Sequence, residues 1–271
     1  MANNLLADVT LLLRGVLDLI APPRCVDCDA PLDQSVQEKD PFCWRCRAKL
    51  SWLACRCDAT SSPCDACHGY GSEVTHCRAA VDYASGAEAW LRRFKYPRSG
   101  LAGLDPRPTV VARRFITLAA ARRPGPPPDW VLPVPLHARR LRQRGFNPST
   151  LLARAAAHAT GSFVPRLSLL VRQRDTPSQT RLDRGERRRN VAGAFAARRC
   201  EQLQGRQILL VDDIATTGAT LREAARELLR AGASGVDAVC AARTGLHRES
   251  ERELNRNLKR VRDTLPRSSR S

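Results

Sequence analysis

Aromatic residues are scarce in this chain. Six Phe, three Tyr and four Trp make up 5% of its 271 residues, too few for a protein that grips nucleic acid mainly by stacking base after base on rings. Uninterrupted apolar runs of membrane-spanning length are missing as well, which argues against a transmembrane helix. The opening residues, MANNLLADVTLLLRGVLDLIAPP, lack a basic leading region, and Asp8, Arg14 and Asp18 break up their leucines, so they do not read as a signal peptide. Leu5, Val9, Leu12, Val16 and Ile20 fall at helical spacing instead. That pattern predicts an amphipathic helix over 1–22, ended by Pro22-Pro23 and packed on the rest of the chain. With no leader, the expected location is the cytoplasm. Acidic residues are also few: 27 Asp and Glu face 45 Lys and Arg, a net charge of +18. Some surface must therefore attract phosphates, nucleic acid or anionic lipid. The length and the 43% apolar content suit one ordinary domain with a real core plus a smaller module.

Cysteine, by contrast, is abundant. In a reducing compartment, 11 cysteines argue for metal binding rather than disulfides. Eight of them form the pairs CVDC, CWRC, CRC and CDAC. Cys25, Cys28, Cys43 and Cys46 have the spacing C-x2-C-x14-C-x2-C, in which two short turns each aim two thiolates at one Zn²⁺. Cys55, Cys57, Cys64 and Cys67 open with a single-residue gap, outside the usual spacing of about two to four. One or two zinc ions are therefore expected, with the pairs used consecutively or interleaved. Four thiolates leave no open position for a substrate, so the role is structural, and the metal should supply much of the folding energy of a module spanning 23–77. Phe42, Trp44 and Trp52 read as the small core of that module. His68 and His76 read as surface imidazoles and Cys77, Cys200 and Cys240 as inert buried thiols.

From residue 78 to 246 the pattern alternates. AAVDY, WVLPVPL, LSLLV, RQILLV and GVDAVCAA read as strands; AEAWLRRFKY, Val110–Arg122, Ser149–Ala159 and Thr220–Ala231 read as helices. This predicts an α/β fold with a parallel sheet covered by helices, whose ligand site lies beyond the carboxyl ends of the strands. ILLVDDIATTGAT sits at such an end. Thr216, Thr217, Gly218, Ala219 and Thr220 lead into a helix, where free backbone N–H groups, a glycine that permits close approach and hydroxyl donors form a phosphate cradle. No Lys follows Gly218, so this is not a Walker-type loop. Asp212 and Asp213 would repel a phosphate unless they accept hydrogen bonds from a sugar diol, and the combination specifies a ribose 5-phosphate. The other reading is that these acids and hydroxyls merely cap the helix.

Three segments in this order, VLPVPLHARRLRQRGFN, RQRDTPSQTRLDRGERRRNVAGAF and ILLVDDIATTGAT, together with the cysteine pairs, resemble the competence protein F (ComF) family within the type I phosphoribosyltransferase superfamily. The resemblance spans roughly residues 20–245. It implies a type I phosphoribosyltransferase fold preceded by a double zinc ribbon, which binds phosphoribosyl pyrophosphate (5-phosphoribosyl 1-pyrophosphate) with Mg²⁺. Asp212 and Asp213 would hold the ribose hydroxyls, and residues 216–220 the 5-phosphate. His137–Asn147 would be the pyrophosphate loop, with His137, Arg139, Arg140, Arg144 and Gly145. Arg172–Asn190 would be a mobile hood, with Arg174, Thr176, Gln179, Arg187 and Asn190. The family pattern has C-x2-C where this chain has Cys55-Arg-Cys57.

The residues themselves point the same way. His137, Arg139, Arg140, Arg142 and Arg144 could grip a pyrophosphate bidentately, or be a solvated basic loop. Arg172–Asn190 is too polar to contribute a core and reads as a mobile lid. The leading expectation is phosphoribosyl transfer, mainly by positioning and electrostatics, with Asp213 doubling as a weak general base or metal-shell group. The rival is a single-stranded nucleic-acid-binding factor that uses the basic surface and the ribbon, through which a protein partner could also dock. The tail 247–271 is charged throughout, with a short amphipathic stretch at Leu254, Leu258 and Val261.

Overall fold

The computed structural model of the protein describes residues 24–32, 40–53, 70–97, 105–163, 169–176 and 184–244. The expected N-terminal helix, the four cysteines from Cys55 to Cys67, His68, Gln179, the side chain of Arg187 and the charged tail lie outside the described residues.

A short helix, α1 (Trp44–Lys49), precedes strand β1 (Cys77–Asp82) and helices α2 (Glu88–Lys95) and α3 (Arg107–Ala121). Then come β2 (Trp130–Pro133), α4 (Ala138–Arg144), α5 (Pro148–Thr160), β3 (Leu170–Arg172), α6 (Arg184–Val191) and β4 (Phe195–Ala197). The chain ends its described course with β5 (Gln207–Ala215), α7 (Ala219–Arg230) and β6 (Gly235–Arg243).

The main sheet has the order β1-β6-β5-β2 and every pairing in it is parallel. A parallel sheet covered on both faces needs apolar residues in both directions, which is why ILLV carries no polar alternation. Ile208 and Leu210 pack on one side with Leu132, Leu221, Ala224 and Leu228. Leu209 and Val211 pack on the other with Trp90, Phe115, Val131 and Leu152. Helices α2, α3 and α5 therefore cover one face, while α7 and the β3–β4 pair cover the other.

Four expectations need correction or refinement. The LSLLV strand is not part of the main sheet: β3 pairs antiparallel with β4, a strand too short to show a period in the sequence. The basic stretch after β2 is not a loop but the helix α4, with His137 as N-cap and Gly145 as a left-handed C-cap at φ 81°. The segment 172–190 is not featureless: it contains α6, and Thr176 near its start is buried, though it joins neither hydrophobic cluster. His76 is largely buried rather than on the surface; its Nδ1 lies 3.3 Å from Asp237, which Arg123 also meets at 2.6 Å.

Near the cysteines, Phe42 is buried but does not form a private core for the module. It stacks on Phe115 of α3 at 6.1 Å, so the module shares the core of the larger body. Trp44 is 75% exposed and Trp52 37%. Cys77 and Cys240 are buried as expected, whereas Cys200 is exposed.

Candidate functional site

Cys25 and Cys28 sit in a turn closed by the Cys25 N–H donating to Ala30 O at 2.8 Å and the Asp29 N–H donating to Cys25 O at 2.9 Å. Cys43 caps α1 and Cys46 lies in its first turn. The four sulfurs all lie within 4.8 Å of one another, with Cys28 and Cys43 at 3.7 Å. A tetrahedron with metal–sulfur bonds of about 2.3 Å has edges of about 3.8 Å, so these thiols fit a structural Zn²⁺. The turn is strapped to the main body: Arg93 of α2 donates to Val26 O at 2.7 Å and Asp27 O at 2.5 Å, and Arg107 of α3 donates to Arg24 O at 2.7 Å.

A second cluster gathers at the carboxyl end of β5. Asp212 Oδ1 accepts from the Ser149 hydroxyl at 3.1 Å and from the Asp213 N–H at 2.9 Å. Burial, and then the neighbouring Asp213 charge, raise the Asp212 carboxyl to about 7 against the opposing pull of Lys95 and these hydrogen bonds. Asp213 is buried and its Oδ1 meets Lys95 Nζ, from the end of α2, at 3.1 Å. Burial alone would lower the Lys95 ammonium; the attraction of Asp213 and Asp212 outweighs it, and the net shift is upward. Both aspartates thus use Oδ1 within the chain, while neither Oδ2 receives a hydrogen bond from the described residues.

The bend after β5 is different. Among the described residues, the N–H groups of Thr216, Thr217 and Gly218 donate to no carbonyl or side chain. The Thr217 hydroxyl is buried and has no partner among those residues either. Gly218 adopts φ 70°, and an added Cβ would lie 1.9 Å from the ring of Tyr70. Only glycine fits there, both for its conformation and for its space. Thr244 ties the back of the bend down, its N–H donating to Ala215 O at 3.0 Å and its hydroxyl to Thr216 O at 3.3 Å. Unused amides at the start of a helix make an anion cradle.

Two further predicted segments meet beside it. Arg139 Nη1 lies 3.3 Å from Asp175, His137 Nδ1 3.7 Å and Arg140 Nε 4.0 Å. Arg140 also donates to Thr176 O at 2.6 Å, and Arg172 to the Thr176 hydroxyl at 2.5 Å. Burial, then Arg140, lowers the Arg172 guanidinium, while Asp212 and Asp175 pull the other way, which places Arg172 electrostatically between α4 and the aspartates. Arg144 turns away to Tyr96, with a 2.8 Å hydrogen bond and its guanidinium 4.5 Å from the ring centre. Gly145 contributes only the helix end, and Arg174 donates to Ala192 O. Asn190 lies on α6.

Sequence reasoning missed Lys95, Ser149 and Tyr70, and did not single out Arg172 or Asp175 within the hood segment it named. Lys95 ends a helix where a basic residue reads as a solvated dipole partner, and Ser149 reads as an ordinary first-turn residue. Only tertiary packing brings them to the aspartates.

Residues 160–265 match the family described as "Phosphoribosyl transferase domain". The fold and the β5–α7 bend thus define a phosphoribosyltransferase-type domain carrying a four-cysteine cluster. Over 236 residues the chain is 32% identical to the DNA utilization protein YhgH of Salmonella typhi, covering 83% of this chain and 99% of that one. It is 32% identical over 223 residues to competence protein F of Haemophilus influenzae, covering 81% and 90%. The chain belongs to this DNA utilization and competence protein F family. A shorter stretch of 69 residues is 44% identical to a uracil phosphoribosyltransferase of Paenarthrobacter aurescens, covering 25% of this chain and 33% of that one. Among solved structures, glutamine phosphoribosylpyrophosphate amidotransferase from B. subtilis aligns at 22% identity and a TM-score of 0.36, over 55% of this chain and 30% of that one. Among the described residues no helix is long and apolar enough to cross a membrane.

Proposed function

We propose that the domain binds 5-phosphoribosyl 1-pyrophosphate in the cytoplasm, together with Mg²⁺, and transfers or senses its phosphoribosyl group in the service of DNA uptake or nucleotide salvage. The observation that carries this reading is the pairing of a bend whose amides are open with two acids that each keep one oxygen unused, both among the described residues. The bend would receive the 5-phosphate through the Thr216–Gly218 amides and the Thr217 hydroxyl. The Oδ2 atoms of Asp212 and Asp213 would accept the ribose hydroxyls. Ser149 and Lys95 hold the Oδ1 atoms, so the carboxylates arrive pre-oriented rather than consumed. Arg139, Arg140 and His137 would face the pyrophosphate.

Bound Mg²⁺ would supply charge neutralisation to the departing pyrophosphate, and Asp213, whose Oδ1 is taken by Lys95, would have only its Oδ2 to share in that shell. The chain's own residues would fix the sugar and place cationic charge where the leaving group develops negative charge. Calorimetric titration with the sugar pyrophosphate and Mg²⁺ tests the reading. Binding should be lost in Asp212→Asn/Asp213→Asn and weakened in Thr217→Val; unchanged heats in both would end it.

One observation favours a second function beside this one. Trp44 is exposed with the Arg45 guanidinium 5.2 Å over its ring, and Arg47 lies 5.0 Å over Trp52. Rings and guanidinium planes of this kind stack single-stranded bases, and the basic surface would supply phosphate contacts. Single-strand affinity should then fall steeply with salt and drop in Trp44→Ala; salt-independent binding would exclude it.

A further inference from the structure

The two arginines of α4 that face the proposed pyrophosphate position, Arg139 and Arg140, already have an anion beside them, and it belongs to the chain. Asp175 stands among His137 Nδ1, Arg139 Nη1 and Arg140 Nε at 3.7, 3.3 and 4.0 Å. None of these reaches the ~2.7–2.9 Å of a well-made charge-assisted bond. The two guanidinium groups thus flank one carboxylate that neither of them binds closely. We infer that Asp175 is an internal competitor for the anion grip of α4, so that only an anion bringing contacts beyond these cations, as a diphosphate ester would, displaces it.

This rests on the anion-binding reading of α4 given above, and two further features support it. The Asp175 carboxylate is not needed to fasten its own segment. Thr176 is buried and takes the Arg140 bond on its carbonyl at 2.6 Å and the Arg172 bond on its hydroxyl at 2.5 Å, so the turn is anchored one residue further on. The Asp175 side chain is also 30% exposed and its Arg139 partner 67%, so the pair is screened by water and can be exchanged for another anion at small cost. A buried, tightly bonded pair such as Arg123 with Asp237 at 2.6 Å could not be exchanged in this way.

An internal competitor acts as a tax on affinity. If it fills the grip in about nine molecules of ten, every external anion binds about tenfold more weakly than the bare cations would hold it. Weakly held anions such as orthophosphate are thereby kept out.

The test is calorimetric titration of the full chain, zinc loaded, with inorganic pyrophosphate and with orthophosphate, for wild type, Asp175→Asn, Asp175→Glu and Arg140→Ala. The expected result is pyrophosphate bound about tenfold more tightly by Asp175→Asn, with orthophosphate binding now measurable. Asp175→Glu should return both towards wild type, and Arg140→Ala should weaken pyrophosphate. If Asp175 merely clasps two segments, Asp175→Asn leaves pyrophosphate affinity unchanged or lowers it while Arg140→Ala still weakens it, and the inference falls alone. If neither wild type nor Asp175→Asn binds pyrophosphate, the anion-grip reading falls and takes the inference with it. Should Asp175→Asn fail to fold, Asp175→Ser carries the same readout.

Discussion

The bend after β5 and the arginines of α4 were both expected to hold phosphate groups, yet the folded chain treats them in opposite ways. Among the described residues, the amides of Thr216, Thr217 and Gly218 stay unused, and the Thr217 hydroxyl is buried without a partner. Three of the four α4 arginines are engaged: Arg139 with Asp175, Arg140 with Thr176 and Arg144 with Tyr96. Backbone donors in a tight bend can be met only by something that fits the bend. Long guanidinium arms instead swing to the nearest acceptor. Donors on the backbone therefore keep a site open, and donors on flexible side chains let the protein fill it from within.

The comparison breaks most easily at Gly218. Gly218→Ala would force a Cβ to within 1.9 Å of the Tyr70 ring at a φ of 70°. The ring cannot yield cheaply, because it lies between the bend and Arg243, whose guanidinium sits 5.2 Å away. A loss of about 3 kcal/mol or more is expected in denaturant melts, with the cradle distorted. No comparable position exists in α4, where a Cβ at Gly145 would meet nothing within 4 Å. Gly145→Ala should cost only the strain of its left-handed backbone, about 1 kcal/mol.

Next comes Lys95, which counters the two acids beside the bend. Lys95→Met leaves Asp212 and Asp213 facing each other with their ammonium gone. Removing one partner of a buried pair costs several kcal/mol; with the lysine side chain 24% exposed, about 2 kcal/mol is the expectation. The Asp212 carboxyl should rise further above 7, measurable by NMR titration. A salt-insensitive loss would mark the pair as buried, in contrast with the screened pairs of α4.

Much of this was legible before folding and some was not. ILLV followed by DDIATTGA carried the strand, the acids and the open bend together, because a buried strand, a glycine turn and a helix start each leave a local signature. The first two cysteine pairs were legible for the same reason: ligand spacing is a local property. Lys95 on Asp213 and Ser149 on Asp212 join residues more than sixty positions apart, with no local pattern to announce them. The helix α4 was hidden because its sequence, ARRLRQR, has only one large apolar residue and no buried face. Phe42 was assigned to the wrong core because its partner, Phe115, belongs to a different module of the sequence.

A smaller and pH-dependent effect should appear at Asp212. Its carboxyl titrates near 7 in the folded protein, above the usual carboxylate range of an unfolded chain. The folded state therefore binds a proton that the unfolded state has already lost. Stability contributed by this group is complete at pH below about 4 and is lost as pH rises towards and through 7. Asp212→Asn keeps an oxygen for the Ser149 hydroxyl and the Asp213 N–H, so it should be near neutral in stability at pH 4 and stabilising by about 1 kcal/mol or more at pH 8. Melts across this range check it. A flat difference between wild type and variant would show that Asp212 is ionised throughout, and that Lys95 serves both acids.

The smallest stability effect is expected at Arg139, and it sharpens the contrast between the two grips most directly. The side chain is 67% exposed, so Arg139→Ala should change stability by less than about 0.5 kcal/mol. Its effect should show instead in how anion binding responds to salt. Exposed guanidinium groups attract an anion over distances comparable to the Debye length, about 10 Å at 0.1 M, and lose that attraction as salt rises. In the proposed reading the bend would hold an anion by short, directed N–H contacts inside the fold, which salt would screen much less. Pyrophosphate binding by Arg139→Ala should therefore be weaker than wild type at low salt and converge on it at high salt. Thr217→Val should lower the affinity for a phosphorylated pentose by a similar factor at every ionic strength. If the two variants respond alike to salt, the backbone bend and the arginine helix are one electrostatic site, and the division drawn between them does not hold.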